Sequence, residues 1–194
     1  MIVWTMQPLT ALDQIEATGS FRCDPKQSFN LTKSDSLEGS YAWLMDRMRE
    51  RIGPEPKGVV SPVWAWHTWN FERRSPDPDS PAFLRHSDSK VMLTLDIPEN
   101  EFVLTDFDAW QNVMIKTYVS RAETESEYLA LEEHLSRLSP DELSEEIRRS
   151  WENVFLTNRV ETDYLVRGRY VQATFWEIKR DYIRDKQLIL PNDL

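Results

Sequence analysis

Hydrophobic and polar residues repeat with two different periods in the first part of the chain. Residues 2–5 are β-branched and aromatic, which predicts a strand, and the apolar residues of 9–19 recur at helical spacing up to a glycine. The polar stretch 21–38 has no steady period and predicts a loop. Ser40 is predicted to cap a second helix over residues 40–52, whose apolar residues again recur at helical spacing.

The middle of the chain has the two-residue alternation of strands. Residues 59–69 carry apolar side chains on both sides, which predicts a central strand. One side is predicted to hold Val63, Ala65, His67 and Trp69, and the other Trp64, Trp66 and Thr68. The proline-rich stretch 73–89 predicts a surface loop, and the short apolar runs 91–97 and 102–104 predict a hairpin.

Three helices are predicted next. Asp106 is expected to cap the first, and apolar residues within 128–138 mark the second. Ser139 begins the third, because it is followed by proline and, three positions on, by glutamate. Residues 170–178 alternate again and predict a late strand, followed by a short basic tail.

The order of these elements indicates the fold class. The segments between strands differ in length and do not form regular crossover units. We therefore expect an α+β fold, with residues 1–194 as one domain and a mixed or mostly antiparallel sheet of about five strands with helical insertions. The chain has only 5 glycines and no glycine-rich phosphate loop, which argues against a Rossmann or P-loop protein.

Charge and composition narrow the function classes. The chain has 33 acidic and 23 basic residues, a formal charge of −10, and most of the excess lies in a helical acidic segment at about 106–156. We do not expect nucleic acid to bind this segment, whereas its acidic face at 123–146 is a candidate contact surface for a protein partner. The sequence has neither a membrane-length apolar run nor a signal-peptide pattern, so we expect a cytoplasmic protein that does not enter a membrane.

Few residues suggest metal or thiol chemistry. The lone Cys23 excludes a disulfide within the chain, and the three histidines lack metal-ligand spacing, so we expect no metal site. Tryptophan is the more informative residue type, since Trp64, Trp66 and Trp69 crowd one predicted strand beside His67. Packing in the core accounts for most such tryptophans, yet an indole edge left open in the Trp66 region can stack on a flat ligand.

Several motifs resemble a bacterial family of unknown function. They are Trp4–Gln7, Phe21–Pro25, Pro62–Trp66, Leu104–Trp110 and Val171–Trp176. This resemblance covers nearly the whole chain and implies a fold but no established activity.

A second resemblance is to the ADP-ribosyltransferase fold, whose chain opens with a strand and a helix ending in glycine. It implies that Thr5 and Gln7 contact the nicotinamide ribose of NAD and that Tyr41 or Trp43 stacks on NAD or contacts the substrate. It also places Gln172 at the late-strand catalytic position, where the family usually has glutamate. Arg22, in the loop after the first helix, is the candidate phosphate partner.

Two function hypotheses follow. The first is an ADP-ribosyltransferase-like protein that binds NAD in a tryptophan-rich cleft and transfers ADP-ribose to an acceptor. Two departures weaken its catalytic part, because Trp4 stands where the family has His or Arg, and the amide of Gln172 cannot act as a general base. The second is a non-catalytic interaction protein, such as the partner of a toxin or defence system, that uses its acidic helical face.

Overall fold

The computed structural model describes residues 1–24, 38–78 and 89–190. Most of the two predicted loops, 21–38 and 73–89, lies outside the described residues. The strands are β1 (Ile2–Pro8), β2 (Ser20–Phe21), β3 (Val63–Trp69), β4 (Lys90–Asp96), β5 (Val103–Asp106), β6 (Val160–Glu161), β7 (Val166–Arg167), β8 (Tyr170–Phe175), β9 (Ile178–Lys179) and β10 (Ile183–Ile189). The helices are α1 (Thr10–Thr18), α2 (Glu38–Ile52), α3 (Phe107–Met114), α4 (Glu125–Ser136) and α5 (Pro140–Ser150).

Six strands form the main sheet, in the order β10-β4-β1-β3-β8-β5, and every neighbouring pair is antiparallel. This confirms the predicted α+β class and the central position of β3. The sixth strand is β10, which the sequence analysis took for a basic tail. Most of its side chains are exposed, as is usual for an edge strand that charge keeps from pairing with another chain.

The predicted hairpin of 91–97 and 102–104 is wrong. Strand β4 lies between β1 and β10, so both of its edges are occupied, and β5 pairs instead with β8 at the opposite edge. The amide of Ile97 continues the pairing with β1 by donating to the Met1 carbonyl oxygen, at 2.9 Å. Pro98 and a 3-10 turn at Glu99–Glu101 then lead the chain away from β4.

Each face of the sheet packs a separate core. On the first, which we call the α1 face, the buried side chains of β1, β4, β3 and β8 pack with Ile15 of α1. On the second, which we call the aromatic face, α2, α3 and the 3-10 turn Trp151–Phe155 bury Trp43, Trp110 and Trp151. Each fully buried side chain stabilises the fold by about 1.5–3 kcal/mol. These three tryptophans all belong to the core on the aromatic face.

Two predicted helix caps are confirmed and one is wrong. Asp106 accepts hydrogen bonds from the amides of Ala109, at 2.9 Å, and Gly168, at 2.6 Å. Ser139 forms a capping box with Glu142. Ser40 lies inside α2 rather than at its start, and its buried hydroxyl donates to the Val113 carbonyl oxygen at 2.8 Å. The cap prediction failed because this tertiary contact uses the hydroxyl.

A β-bulge in β3 corrects the predicted alternation of 63–69. Trp66 pairs with Gln172 and Thr68 with Val171, so His67 is an extra residue between them. A bulge reverses the alternation beyond it, and Trp69 therefore lies on the same side of the sheet as Trp66. In the described part of the chain, no helix combines the length and apolarity needed to cross a membrane.

Candidate functional site

Strand β1 is paired unequally on its two sides. Along β4 it is in register over seven residue pairs, from Ile2 opposite Asp96 to Pro8 opposite Lys90. Along β3 it has one register pair, Trp4 opposite Trp66. The two central strands therefore separate beyond this pair, and a gap opens in the middle of the sheet.

Prolines on both strands limit how far the ladder could extend. If the register of Trp4 and Trp66 were extended, Pro8 would lie opposite Pro62. Proline has no amide hydrogen to donate, so neither residue can supply a ladder hydrogen bond at this end. Backbone groups of both strands consequently face the gap instead of each other.

Polar side chains partly bridge the gap. The Thr5 hydroxyl donates to the Trp64 carbonyl oxygen at 2.7 Å and accepts from the side-chain amide of Gln7 at 2.8 Å. Thr5 is only 2% exposed, so its hydroxyl satisfies a β3 carbonyl that a continuous ladder would have paired. This short chain of hydrogen bonds fixes the Gln7 amide at the wall of the gap.

A pocket of about 330 Å³ occupies the gap. This volume lies within the range of about 300–1,000 Å³ typical of small-molecule sites. Its lining side chains are Thr5, Met6, Gln7, Pro8, Cys23, Pro62, Val63, Trp64, Trp66, Lys90 and Gln172. Apolar and indole surface thus surrounds a few polar groups, which is the usual make-up of such a site.

Thr5, Gln7, Trp66 and Gln172, four of the predicted site residues, line this one pocket. By strand alternation, Thr5 and Gln7 reach it from the α1 face, and Trp66 and Gln172 reach it from the aromatic face. The pocket therefore passes through the sheet at the gap, and groups from β1, β3 and β8 meet there.

Gln172 lies in a row across the sheet, between Trp66 on β3 and Thr105 on β5. Buried polar atoms around it, Trp64 Nε1, Thr105 Oγ1 and Thr174 Oγ1, find no hydrogen-bond partner among the described residues. Buried polar atoms are normally paired with protein, water or ligand. Within the described residues, the hydrogen-bonding groups around Gln172 are therefore not all satisfied.

Arg22 and Tyr41, the other two predicted residues, are not in the pocket lining. Arg22 Nε pairs with Glu177 at 2.9 Å, and its Nη1 donates to the Lys57 carbonyl oxygen at 2.9 Å. Tyr41 packs behind Trp64 with their ring centroids 6.2 Å apart, and burial raises the pKa of its phenol to about 12. Glu177 lies beyond the end of β8 and is not a lining residue. Among the described residues, no carboxylate lines the pocket.

Lys90 and Cys23 are pocket residues that the sequence analysis did not assign to it. Lys90 is the first residue of β4 and lies opposite Pro8 of β1. Among the described lining residues, its ammonium is the group that carries a positive charge. Burial, and then the nearby charge of Asp24, raises the pKa of the Cys23 thiol, which is therefore not an activated nucleophile. The sequence gave no signal that Lys90 lines the pocket, because only the register of β1 and β4 brings it to the gap.

No cluster of three or more His, Cys, Asp or Glu residues that could hold a metal ion occurs in residues 1–24, 38–78 and 89–190. His67 lies on the bulge, and burial, with the charge of Arg73, lowers its pKa to about 4. The imidazole is therefore neutral at physiological pH.

Comparison with known proteins assigns the chain to a family. A family model described as domain of unknown function (DUF3841) matches residues 2–184, and the chain belongs to this family. No curated protein and no solved structure matches the chain. The resemblance to a family of unknown function is confirmed over nearly the whole chain, and the family brings no activity with it.

Proposed function

We propose that this member of the DUF3841 family binds NAD in the pocket between β1 and β3, in the manner implied by its resemblance to the ADP-ribosyltransferase fold. The observation that carries the proposal is that Thr5, Gln7, Trp66 and Gln172 line one pocket at the gap in the sheet. The sequence alone indicates each of these residues, and they lie on three different strands.

The chemistry of the lining supports a dinucleotide. The Trp64 and Trp66 indoles offer apolar surface for a flat nicotinamide ring, and the amides of Gln7 and Gln172 can hydrogen-bond ribose hydroxyls. Lys90 is the group suited to the pyrophosphate, in place of Arg22, whose guanidinium is paired with Glu177. Because Lys90 is a flexible point charge, we expect it to neutralise the phosphates rather than fix their orientation.

The reaction we propose for the pocket is transfer of ADP-ribose. The bond between ribose C1′ and the nicotinamide nitrogen breaks, and its electron pair leaves with nicotinamide. A lone pair of the acceptor forms the new bond to C1′, and the acceptor loses its proton to solvent, because the Gln172 amide cannot take it. Gln172 is the proposed catalytic residue, holding a ribose hydroxyl while positive charge develops on the ribose.

Titration calorimetry with NAD tests binding, and release of nicotinamide tests turnover. Gln172→Ala should weaken NAD binding about ten-fold or more, since a hydrogen bond inside a pocket is lost without replacement. Gln187→Ala is the matched control, because Gln187 is exposed on β10 of the same sheet. Wild-type protein that is folded and takes up no NAD at millimolar concentration would refute the proposal. Binding without nicotinamide release would refute only the transferase step.

A second candidate function is an interaction through the acidic helical face at 123–146. Helix α4 has no buried residue, and Tyr128 and Leu129 are 39% and 57% exposed on it. Acidic side chains surround this apolar surface, among them Glu132, which accepts a hydrogen bond from the Tyr128 hydroxyl at 3.0 Å. A basic amphipathic segment of a partner protein complements such a surface.

A labelled amphipathic peptide of lysine and leucine probes this second function. Charge reversal at Glu132, Glu133, Glu145 and Glu146 should abolish its binding at low salt, and the same four-fold reversal at exposed acidic residues elsewhere should not. If both variants bind the peptide alike, the interaction is general electrostatics and the acidic helical face has no special role.

A further inference from the structure

A cluster of half-buried aromatic rings and two arginines lies on the aromatic face, beside the pocket. We call it the aromatic–arginine surface, and its residues are Trp66, Trp69, Phe107, Tyr170, Arg73 and Arg169. We propose that this surface binds single-stranded nucleic acid, with bases stacked on the rings and phosphates held by the arginines. This proposal does not depend on NAD binding.

The rings are arranged edge to face or tilted, and each of them is partly exposed. The Trp66 ring centroid is 4.8 Å from that of Trp69 and 5.3 Å from that of Phe107. Tyr170 closes the group, 5.0 Å from Trp69 at an interplanar angle of 64°. None of the four is fully buried. A core cluster of this size would be closed off, as the one around Trp43 and Trp151 is.

The β-bulge at His67 creates this cluster. Without the extra residue, Trp69 would lie on the α1 face, apart from the three rings that it now joins on the aromatic face. Bulges commonly redirect a side chain at a functional site. The bulge thus adds the partly exposed ring of Trp69 to the aromatic face.

Two arginines present cationic groups beside the rings. The Arg169 guanidinium carbon is 5.2 Å from the Tyr170 ring centroid, and that of Arg73 is 5.7 Å from the ring of Trp4, the neighbour of Trp66 on β1. Arg169 donates to the Asn70 side chain and Arg73 to the backbone carbonyl oxygens of Ile2 and His67. Neither forms an ion pair with a carboxylate of the described residues. Arg169 interacts electrostatically with Asp108. Burial raises the pKa of the Asp108 carboxyl, and the charge of Arg169 opposes that rise.

The backbone beside the cluster is strained. Asn70 and Phe71 have φ of 53° and 65°, in a two-residue turn closed by hydrogen bonds between Trp69 and Glu72. This left-handed conformation is unusual for a residue as bulky as phenylalanine. The Phe71 amide donates to the Arg169 carbonyl oxygen at 2.8 Å, so the strained turn ties Arg169 to the end of β3. Such strain persists where the surroundings fix a geometry, often at binding sites.

Single-stranded nucleic acid fits these features better than other anions do. Every base has a flat face that can stack on an aromatic ring, and arginines beside the rings can follow the phosphate backbone. A duplex hides its base faces, and an acidic peptide has no rings to place on this surface. The overall charge of −10 does not oppose binding here, because most of it is carried by residues 123–146, which have nine acidic residues and one arginine and lie outside the aromatic–arginine surface.

Fluorescence anisotropy with a labelled oligothymidylate of about 12 nucleotides tests the proposal, at a salt concentration of about 50 mM. Arg169→Glu should weaken binding at least ten-fold and lower the slope of log affinity against log salt by about 0.7 or more. Trp69→Leu keeps an apolar side chain and removes the ring, so it should weaken binding at least five-fold and leave the salt slope unchanged.

Two matched variants serve as controls. Arg137→Glu reverses an exposed arginine next to α4, and Tyr128→Leu removes an exposed ring of α4, so both should bind the oligonucleotide like wild type. Circular dichroism melts establish that each variant is folded. The proposal is overturned if wild type does not bind at about 100 µM, if a control weakens binding as much as its counterpart, or if a duplex or polyglutamate binds as tightly as the single strand.

Discussion

The two sides of β1 differ more than any other pair of regions in the sheet. On one side, seven register pairs hold β1 to β4, and the Leu93 side chain, opposite Thr5, is fully buried. On the other side, one register pair is followed by a gap, a bridging hydroxyl and a pocket. The same strand is therefore part of the rigid core along one edge and the wall of a cavity along the other.

This contrast shows what a binding site in the middle of a sheet requires. A strand must be held firmly on one side if its other side is to stay open, because unpaired backbone groups otherwise favour closing the ladder. Here Pro8 and Pro62 remove two donors and Thr5 satisfies one acceptor. The paired side provides stability and the open side provides ligand contacts, and the following predictions separate these roles.

The largest effect is expected from the paired side. Leu93→Ala removes a fully buried side chain and should lower the free energy of unfolding by about 2–5 kcal/mol, as large-to-small core substitutions do. Urea unfolding measures this loss. Leu93 does not line the pocket, so the folded variant should bind NAD like wild type. A comparable loss of NAD affinity would show that the two sides are not separate.

The second effect concerns the open side. Thr5→Val keeps the shape and removes the hydroxyl, which leaves the Trp64 carbonyl without its donor. We expect a loss of about 1–3 kcal/mol in unfolding free energy, together with at least ten-fold weaker NAD binding in calorimetry. Thr94→Val, on the adjacent strand and outside the pocket lining, is the control. Equal affinity of the Thr5 and Thr94 variants would contradict the assigned role of Thr5.

The third effect is a pH dependence that originates on β3. The folded pKa of His67 is about 4, below the value of about 6.5 in an unfolded chain. Between these values the unfolded state binds the extra proton, so His67 stabilises the protein fully above about pH 6.5 and loses this contribution as the pH falls. Between pH 7.5 and pH 5, we expect wild type to lose about 1–2 kcal/mol more than His67→Gln.

Urea titrations of both proteins at the two pH values measure this difference. A parallel loss in wild type and His67→Gln would mean that other groups cause the acid sensitivity. NAD binding by His67→Gln at neutral pH should match wild type, since His67 does not line the pocket.

The smallest effect is expected at Lys90, which contributes charge to the pocket and little to the core. Lys90→Met should weaken NAD binding about three- to ten-fold and leave nicotinamide riboside binding unchanged, because only NAD carries the pyrophosphate. Calorimetry with both ligands measures this. If affinity for both falls equally, Lys90 acts through the shape of the pocket and not through phosphate.

The sequence was sufficient for the fold class, for the central strand and for two helix caps. The alternation of 59–69 indicated a central strand, and Asp106 and Ser139 are the predicted caps. The resemblance to the ADP-ribosyltransferase fold selected Thr5, Gln7 and Gln172, which line one pocket. The fold class and the caps were predictable because they depend on local periodicity and on short motifs, whereas the roles of Thr5, Gln7 and Gln172 stay predictions.

The failures depend on long-range pairing. The hairpin was wrong because β4 and β5 are neighbours in sequence but lie in different parts of the sheet. The bulge at His67 was not predictable, because no glycine marks it in the sequence. Lys90 reaches the pocket only through the register of β1 and β4. The role of Arg22 as a phosphate partner stays a prediction, and the sequence alone gave no sign that Glu177 pairs with it.

Fluorine NMR of protein containing 5-fluorotryptophan tests the central claim most directly, because it reports binding at each of the 8 tryptophans separately. Tryptophan-to-phenylalanine variants assign the resonances. With NAD at about 1 mM, we predict that the resonances of Trp64 and Trp66 shift, whereas that of Trp151, in the closed core, does not. Unchanged resonances of Trp64 and Trp66 in folded protein, or an equal shift of Trp151, would contradict a NAD site in the gap between β1 and β3.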